Sequence, residues 1–177
     1  MSLFLSYINR MAKREIVLIL DSVRSAHNVG SLLRTADGLG VKHVYICGAS
    51  PYPPAAGDRR LPHIQARVGR RIDKTALGAG SSVKWSYHRQ SILVIKRLKA
   101  EGYHLLALEQ TSSAKTLPDF RPPAKSALIA GNEVGGLAAN LLALADTHLQ
   151  IPMLGKKESY NVAVAGAIAL YHLRFGR

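Results

Sequence analysis

The sequence has one cysteine, Cys47, among its 177 residues, so no disulfide can form within the chain. That excludes a disulfide-stapled secreted scaffold and fits a reducing, cytoplasmic setting. Cys47 lies in the apolar run His43–Gly48, which predicts a buried structural thiol rather than a nucleophile. Aromatic residues are scarce, 6% against 47% hydrophobic overall, so the core must be built mainly from Leu, Ile, Val and Ala. No apolar run approaches the roughly 20 residues that a membrane-spanning helix needs. The first residues lack a charged segment ahead of an apolar stretch, so no secretory signal is read. Acidic residues are few as well: 11 Asp and Glu face 24 Lys and Arg, a formal net charge of +13. Such an excess favours a polyanionic partner, because each neutralised phosphate releases counterions, although a basic surface of no special purpose has the same composition.

What is present is a globular pattern of a length that suits one domain. Ile16–Asp21 (IVLILD) is a continuous apolar run, as in a strand buried on both faces. His43–Gly48, Tyr103–Glu109, Ser126–Gly131 and His148–Pro152 read as further strands. Helices are predicted over Val29–Gly38, Ser91–Glu101, Leu137–Leu144 and Val162–Phe175, with Gly102 stopping the second. Alternation of this kind predicts an α/β fold with a mostly parallel sheet flanked by helices. Prolines at Pro51–Pro54 and Pro118–Pro123 mark loops. Residues 50–74 show no clear periodicity and read as a long loop, which is also the most basic stretch, with Arg59, Arg60, Arg67, Arg70, Arg71 and Lys74. Residues 1–14 are expected to be an N-terminal extension to a single domain over 15–177.

Three segments could carry chemistry. Asn28–Ala36 (NVGSLLRTA) follows a strand and a short turn. Asn28 suits a helix N-cap, Gly30 admits a ligand or a neighbouring backbone, and Arg34 projects from the same helix about two turns up. Alone, this segment reads more readily as a capped helix with one exposed arginine. Gly131–Leu137 (GNEVGGL) lies between a strand and a helix, where α/β sheets bind ligands, and puts Glu133 at a strand's carboxyl end. It has neither the G-x-G-x-x-G of dinucleotide sites nor the Gly-Lys-Ser/Thr of phosphate loops, and a plain tight turn stays open. Ile151–Ala165 (IPMLGKKESYNVAVA) joins a strand end to a loop and then to a helix start for which Ser159 and Asn161 are both suitable caps.

In this order, the three segments resemble the motifs of the SpoU or TrmH-like RNA 2′-O-ribose methyltransferases of the SPOUT class. They match N-x-G-x-x-x-R-T-A, then G-N-E-x-x-G-L, then I-P-M-x-G followed by E-S-x-N-V-x-V-A. The resemblance spans about Ile16 to Tyr171 and includes Lys74–Ala79 (KTALGA). Tyr160 stands where the family usually has Leu, and Ala163 where it has Ser, differences that bear on cofactor fit. The resemblance implies a deep C-terminal trefoil knot, a rare connection that no sequence pattern would suggest. It implies a homodimer with composite sites and S-adenosyl-L-methionine as cofactor, leaving S-adenosyl-L-homocysteine. It further implies methyl transfer to a ribose 2′-hydroxyl of tRNA or rRNA, with guanosine in tRNA favoured.

For the site, the resemblance implies Arg34, Asn28, Glu133, Ser159 and Asn161 as catalytic residues. It implies a cofactor site of Leu108, Glu109, Gly131, Asn132, Glu133, Gly136, Leu137, Ile151, Met153, Ser159, Tyr160, Asn161 and Ala163, in which Ile151, Met153 and Leu137 pack the adenine. An arginine stays protonated, so Arg34 reads as an electrostatic clamp rather than a base. Arg59, Arg60, Arg67, Arg70 and Arg71 then read as phosphate contacts, since no aromatics are interleaved with them. No metal, no membrane association and no separate RNA-binding domain are expected. A non-catalytic RNA-binding protein on the same fold is the main alternative, and a small-molecule α/β enzyme the lesser one.

Overall fold

The structure, a computed structural model, describes residues 14–176; the expected N-terminal extension lies outside them except for Arg14. Seven strands form one sheet: β1 (Glu15–Asp21), β2 (His43–Cys47), β3 (Trp85–His88), β4 (His104–Leu108), β5 (Lys115–Thr116), β6 (Lys125–Ala130) and β7 (Thr147–Gln150). Their order is β3-β2-β1-β6-β4-β7-β5, and every pairing is parallel. The helices are α1 (Ala26–Gly38), α2 (Pro62–Ala76), α3 (Ala79–Ser82), α4 (Ser91–Ala100), α5 (Ala139–Leu142) and α6 (Val162–Phe175). Among the described residues, no helix is long and apolar enough to cross a membrane.

The apolar run of β1 is continuous because both faces of the sheet are covered. Ile16, Leu18 and Leu20 enter the core shared with α1, α2 and α6, while Val17 and Ile19 enter the opposite core with α4 and α5. β6 divides in the same way, Leu128 and Ala130 to the first core, Ala127 and Ile129 to the second. Each such fully buried Leu or Ile stabilises the fold by roughly 1.5–3 kcal/mol relative to exposure.

The strand order positions the site. The chain lays β2 and β3 on one side of β1, then crosses to the other side, leaving a slot that β6 later fills between β1 and β4. Ligands of open parallel sheets collect at the carboxyl ends of strands around such a reversal. β7 is slotted between β4 and β5, two strands that precede it, and α6 then docks on α1.

Two expectations are corrected. Residues 50–74 are not a structureless loop, because α2 begins at Pro62. Its apolar stripe, Ile64, Val68, Ile72 and Ala76, recurs every four residues, and Pro62 occupies the first turn, where its missing N–H costs nothing. The cap of α1 is Ser25, whose hydroxyl accepts the Asn28 N–H, so Asn28 sits inside the first turn with its carboxamide free to point elsewhere. Cys47 is buried as expected, and burial, with Asp21 nearby, pushes its thiol up to about 12.

Candidate active site

A cleft of about 490 Å³ opens at the carboxyl ends of β4, β6 and β7. Its wall is built from Leu108, Glu109 and Gln110 after β4, Ala130 to Val134 and Gly136 after β6, Gln150 and Ile151 after β7, and Glu158 to Val162 with Ala165 at the start of α6. Four turns distant in sequence thus meet in one place because their strands are neighbours in the sheet.

The glycine-rich turn after β6 is held from within and from beside. The Asn132 carboxamide oxygen accepts the Val134 and Gly135 N–H groups at 2.8 and 3.1 Å, and its Nδ2 donates to the Ser22 carbonyl at 3.1 Å. Gly136 has φ +62°, and a Cβ there would meet the Glu109 carboxylate at 2.3 Å. That carboxylate accepts the Leu137 N–H at 2.9 Å, so Glu109 fixes the turn to the end of β4. Glycine is required at 136 for both backbone and space.

The three sequence segments are joined by one line of hydrogen bonds. The Asn161 side-chain oxygen caps α6, accepting the Ala163 N–H at 2.9 Å. Its Nδ2 donates to Asn28 Oδ1 at 3.2 Å, and Asn28 Nδ2 donates to Glu133 Oε1 at 2.7 Å. The ends impose this direction: a backbone N–H can only donate and an ionised carboxylate can only accept. Glu133 also accepts the N–H groups of Arg24 at 2.9 Å and Ser25 at 3.3 Å. Burial opposes its ionisation, but those amides and the Asn28 carboxamide outweigh it and hold the carboxyl below the usual glutamate range.

The expected site residues are not all in one place. Asn28, Glu133 and Asn161 are bonded together, and Ser159 and Tyr160 line the cleft beside them. Arg34 is exposed on α1 and does not line the cleft of its own chain. Leu137 and Ala163 turn into the two cores, and half-buried Met153 stays off the wall, so the expected adenine contacts reduce to Ile151. Apolar surface comes instead from Leu108, Val134 and Val162. Gln110 and Gln150 also line the cleft and carry no sequence signal of their own beyond their place at strand ends, and Glu158, the glutamate of the E-S-x-N motif, lines it as well.

Among the basic residues, Arg60 is committed elsewhere. It donates to the Asp58 carboxylate at 2.5 to 3.0 Å and lies 3.6 Å over the Tyr52 ring, which stacks on Tyr87. Arg59, Arg67, Arg70, Arg71 and Lys74 are exposed, the last four on the outer face of α2. Among the described residues no group of three or more His, Cys, Asp or Glu is placed to hold a metal.

Residues 15–171 match the SpoU rRNA Methylase family. The chain is 30% identical over 163 residues to the tRNA (guanosine(18)-2′-O)-methyltransferase of Escherichia coli, covering 91% of this chain and 64% of that enzyme. It is 32% identical over 168 residues to the 23S rRNA (guanosine(2553)-2′-O)-methyltransferase of Bacillus subtilis, covering 93% of this chain and 60% of that enzyme. The chain thus spans less than two thirds of the length of these curated relatives. The solved structure of the SpoU methyltransferase AviRb from Streptomyces viridochromogenes, in complex with AdoMet, superposes with a TM-score of 0.72 at 22% identity, over 90% of this chain and 57% of that one.

Proposed function

Since the chain belongs to the SpoU rRNA Methylase family, we propose that it is an RNA ribose 2′-O-methyltransferase that uses S-adenosyl-L-methionine. The observation that carries this reading is the Asn161–Asn28–Glu133 line, which ties all three motifs together beside the cleft. The cleft suits the cofactor: its volume lies in the range of small-molecule sites, roughly 300–1,000 Å³, and Leu108, Val134 and Ile151 offer apolar surface for a purine. When bound, the cofactor would supply an electrophilic methyl on a sulfonium; transfer to a ribose 2′ oxygen would leave the C–S electron pair on a neutral thioether sulfur and pass the hydroxyl proton to solvent water.

The chain's own residues position the reactants. Glu133 and Asn28 lock the start of α1 against the glycine-rich turn, so the helix that bears Arg34 is fixed relative to the cleft. Arg34 grips an RNA phosphate bidentately and favours the developing charge on the 2′ oxygen. Because Arg34 is exposed and does not line the cleft of its own chain, it serves the cleft of a second copy in a homodimer. Exposed Val164, Ile168 and Tyr171, spaced four and three residues apart on α6, form an apolar stripe suited to that contact. The whole of 15–177 acts as one methyltransferase domain, in the cytoplasm, where the lone buried Cys47 thiol is at home. The relatives are both named for a guanosine, which supports a guanosine target; tRNA is the favoured RNA.

Incubating the protein with labelled S-adenosylmethionine and bulk tRNA or rRNA tests this. The wild type is expected to label RNA, and Arg34→Ala to bind the cofactor normally while transferring about 100-fold or more slowly. Near-normal turnover of the variant would remove Arg34 from catalysis. Absence of transfer by the wild type to any RNA would favour the non-catalytic alternative.

A further inference from the structure

Charge is segregated on this molecule. The chain carries a formal +13, yet the described residues that line the cleft include three carboxylates, Glu109, Glu133 and Glu158, and no Lys, Arg or His. Two of the three are engaged. Glu109 accepts the Leu137 and Gln110 N–H groups, and Glu133 accepts Arg24, Ser25 and Asn28. Glu158 differs: among the described residues no hydrogen bond or ion pair reaches its carboxylate. Its backbone carbonyl is pinned to the wall by Gln110 Nε2 at 2.8 Å. Lys156 and Lys157 precede it but do not line the cleft.

We propose that the cleft is a cation-selecting pocket in which Glu158 is a specificity-determining residue, favouring the sulfonium cofactor over its neutral thioether product and over phosphate-bearing adenine nucleotides. The proposal rests on the methyltransferase reading and deepens it. S-adenosylmethionine bears one net positive charge from its sulfonium, ammonium and carboxylate; S-adenosylhomocysteine bears none. The two share adenine, ribose and amino-acid ends, so shape discriminates between them poorly and charge discriminates well. Glu133 stays ionised at neutral pH because its amide donors favour the charged form. A negative wall therefore attracts the reactant, loses that attraction when the methyl leaves, and so assists exchange. The same wall repels the RNA backbone, which keeps the polyanion on the basic surface and out of the cofactor's place.

One exposed carboxylate acting on one charge changes affinity by about two- to fivefold. Isothermal titration of wild type, Glu158→Gln and Glu158→Asp with S-adenosylmethionine, S-adenosylhomocysteine and ATP reads it directly. Glu158→Gln is expected to weaken S-adenosylmethionine by that factor and leave S-adenosylhomocysteine unchanged, whereas Glu158→Asp keeps the wild-type preference. The contrast should shrink as salt rises. Equal weakening of both adenosyl ligands would mark Glu158 as merely structural, and no change in either would remove it from recognition; both results overturn the proposal. Should the wild type bind neither adenosyl ligand, the methyltransferase reading falls, and the proposal with it.

Discussion

Glu133 acts on the local fold as well as on the site. Its carboxylate collects two backbone donors and one carboxamide at the start of α1. The effect on stability follows from the direction of its shift: burial disfavours the charge, the three donors overcome this, and the native value lies below the usual one. A depressed native value means stability that is fully present above the ordinary glutamate range, near about 4.3, and lost as pH falls through the native value. The side chain is exposed, so solvent screening keeps the effect to about 0.5–1 kcal/mol. Glu133→Gln, with one acceptor oxygen for three donors, should unfold at lower urea than the wild type at pH 7. The two curves should converge as pH falls through the lowered native value, where the wild-type carboxyl is itself protonated. A gap that stays constant from pH 7 down the whole acid range in which the protein remains folded would refute the charge-based account.

At the scale of elements, the packing of α1 on α2 decides how the first motif is presented. Gly30 lies against α2, where a Cβ would meet the Ile72 carbonyl at 2.2 Å and Thr75 Oγ1 at 2.3 Å. The helices must separate to admit it, so Gly30→Ala should cost about 1–3 kcal/mol, read as a lower urea midpoint at unchanged slope. Gly166→Ala on α6 meets only Leu32 Cδ2, the end of a side chain that can turn away, and should cost less. A larger destabilisation at 166 than at 30 would show that the backbone approach is not the tighter one. The sequence alone allows two uses for Gly30, a ligand or a neighbouring backbone; α2 is the neighbour. α2 itself is hard to read because Gly69 and the arginines mask its apolar stripe, although Ile64, Val68, Ile72 and Ala76 keep a helical spacing. β3 (WSYH) and β5 (KT) are short and polar, and exist because β2 and β7 lie beside them, a fact of tertiary pairing that no local pattern holds. The long apolar runs of β1 and β6 are legible because burial on both faces leaves no alternation to misread. Of the site, Asn28, Glu133 and Asn161 are legible through the resemblance of the three motifs, but their bonds to one another depend on the docking of α6 on α1.

Over the whole molecule, the separation of charge gives each face a different partner. The acidic cleft suits the small cation proposed for it, and the exposed arginines of α2 are the proposed contact with a polyanion. Arg67, Arg70, Arg71 and Lys74 recur at three- and four-residue spacing, so they share one side of α2 while the apolar stripe occupies the other. Asp73 is the one acid within that helix. Arg60 is not part of this surface, because Asp58 neutralises it and Tyr52 covers it, so its replacement should act through the loop rather than through RNA. If the α2 stripe grips phosphates, affinity for RNA must fall steeply with salt, since each neutralised phosphate releases counterions. Replacing Arg70 and Arg71 together by Glu removes two such grips and adds repulsion. The plot of log affinity against log salt should then flatten by about one unit for each phosphate no longer held, with cofactor affinity unchanged. An unchanged slope in RNA-binding titrations across salt would place the polyanion on some other face, and the arginines of α2 would then be a solvated surface and nothing more.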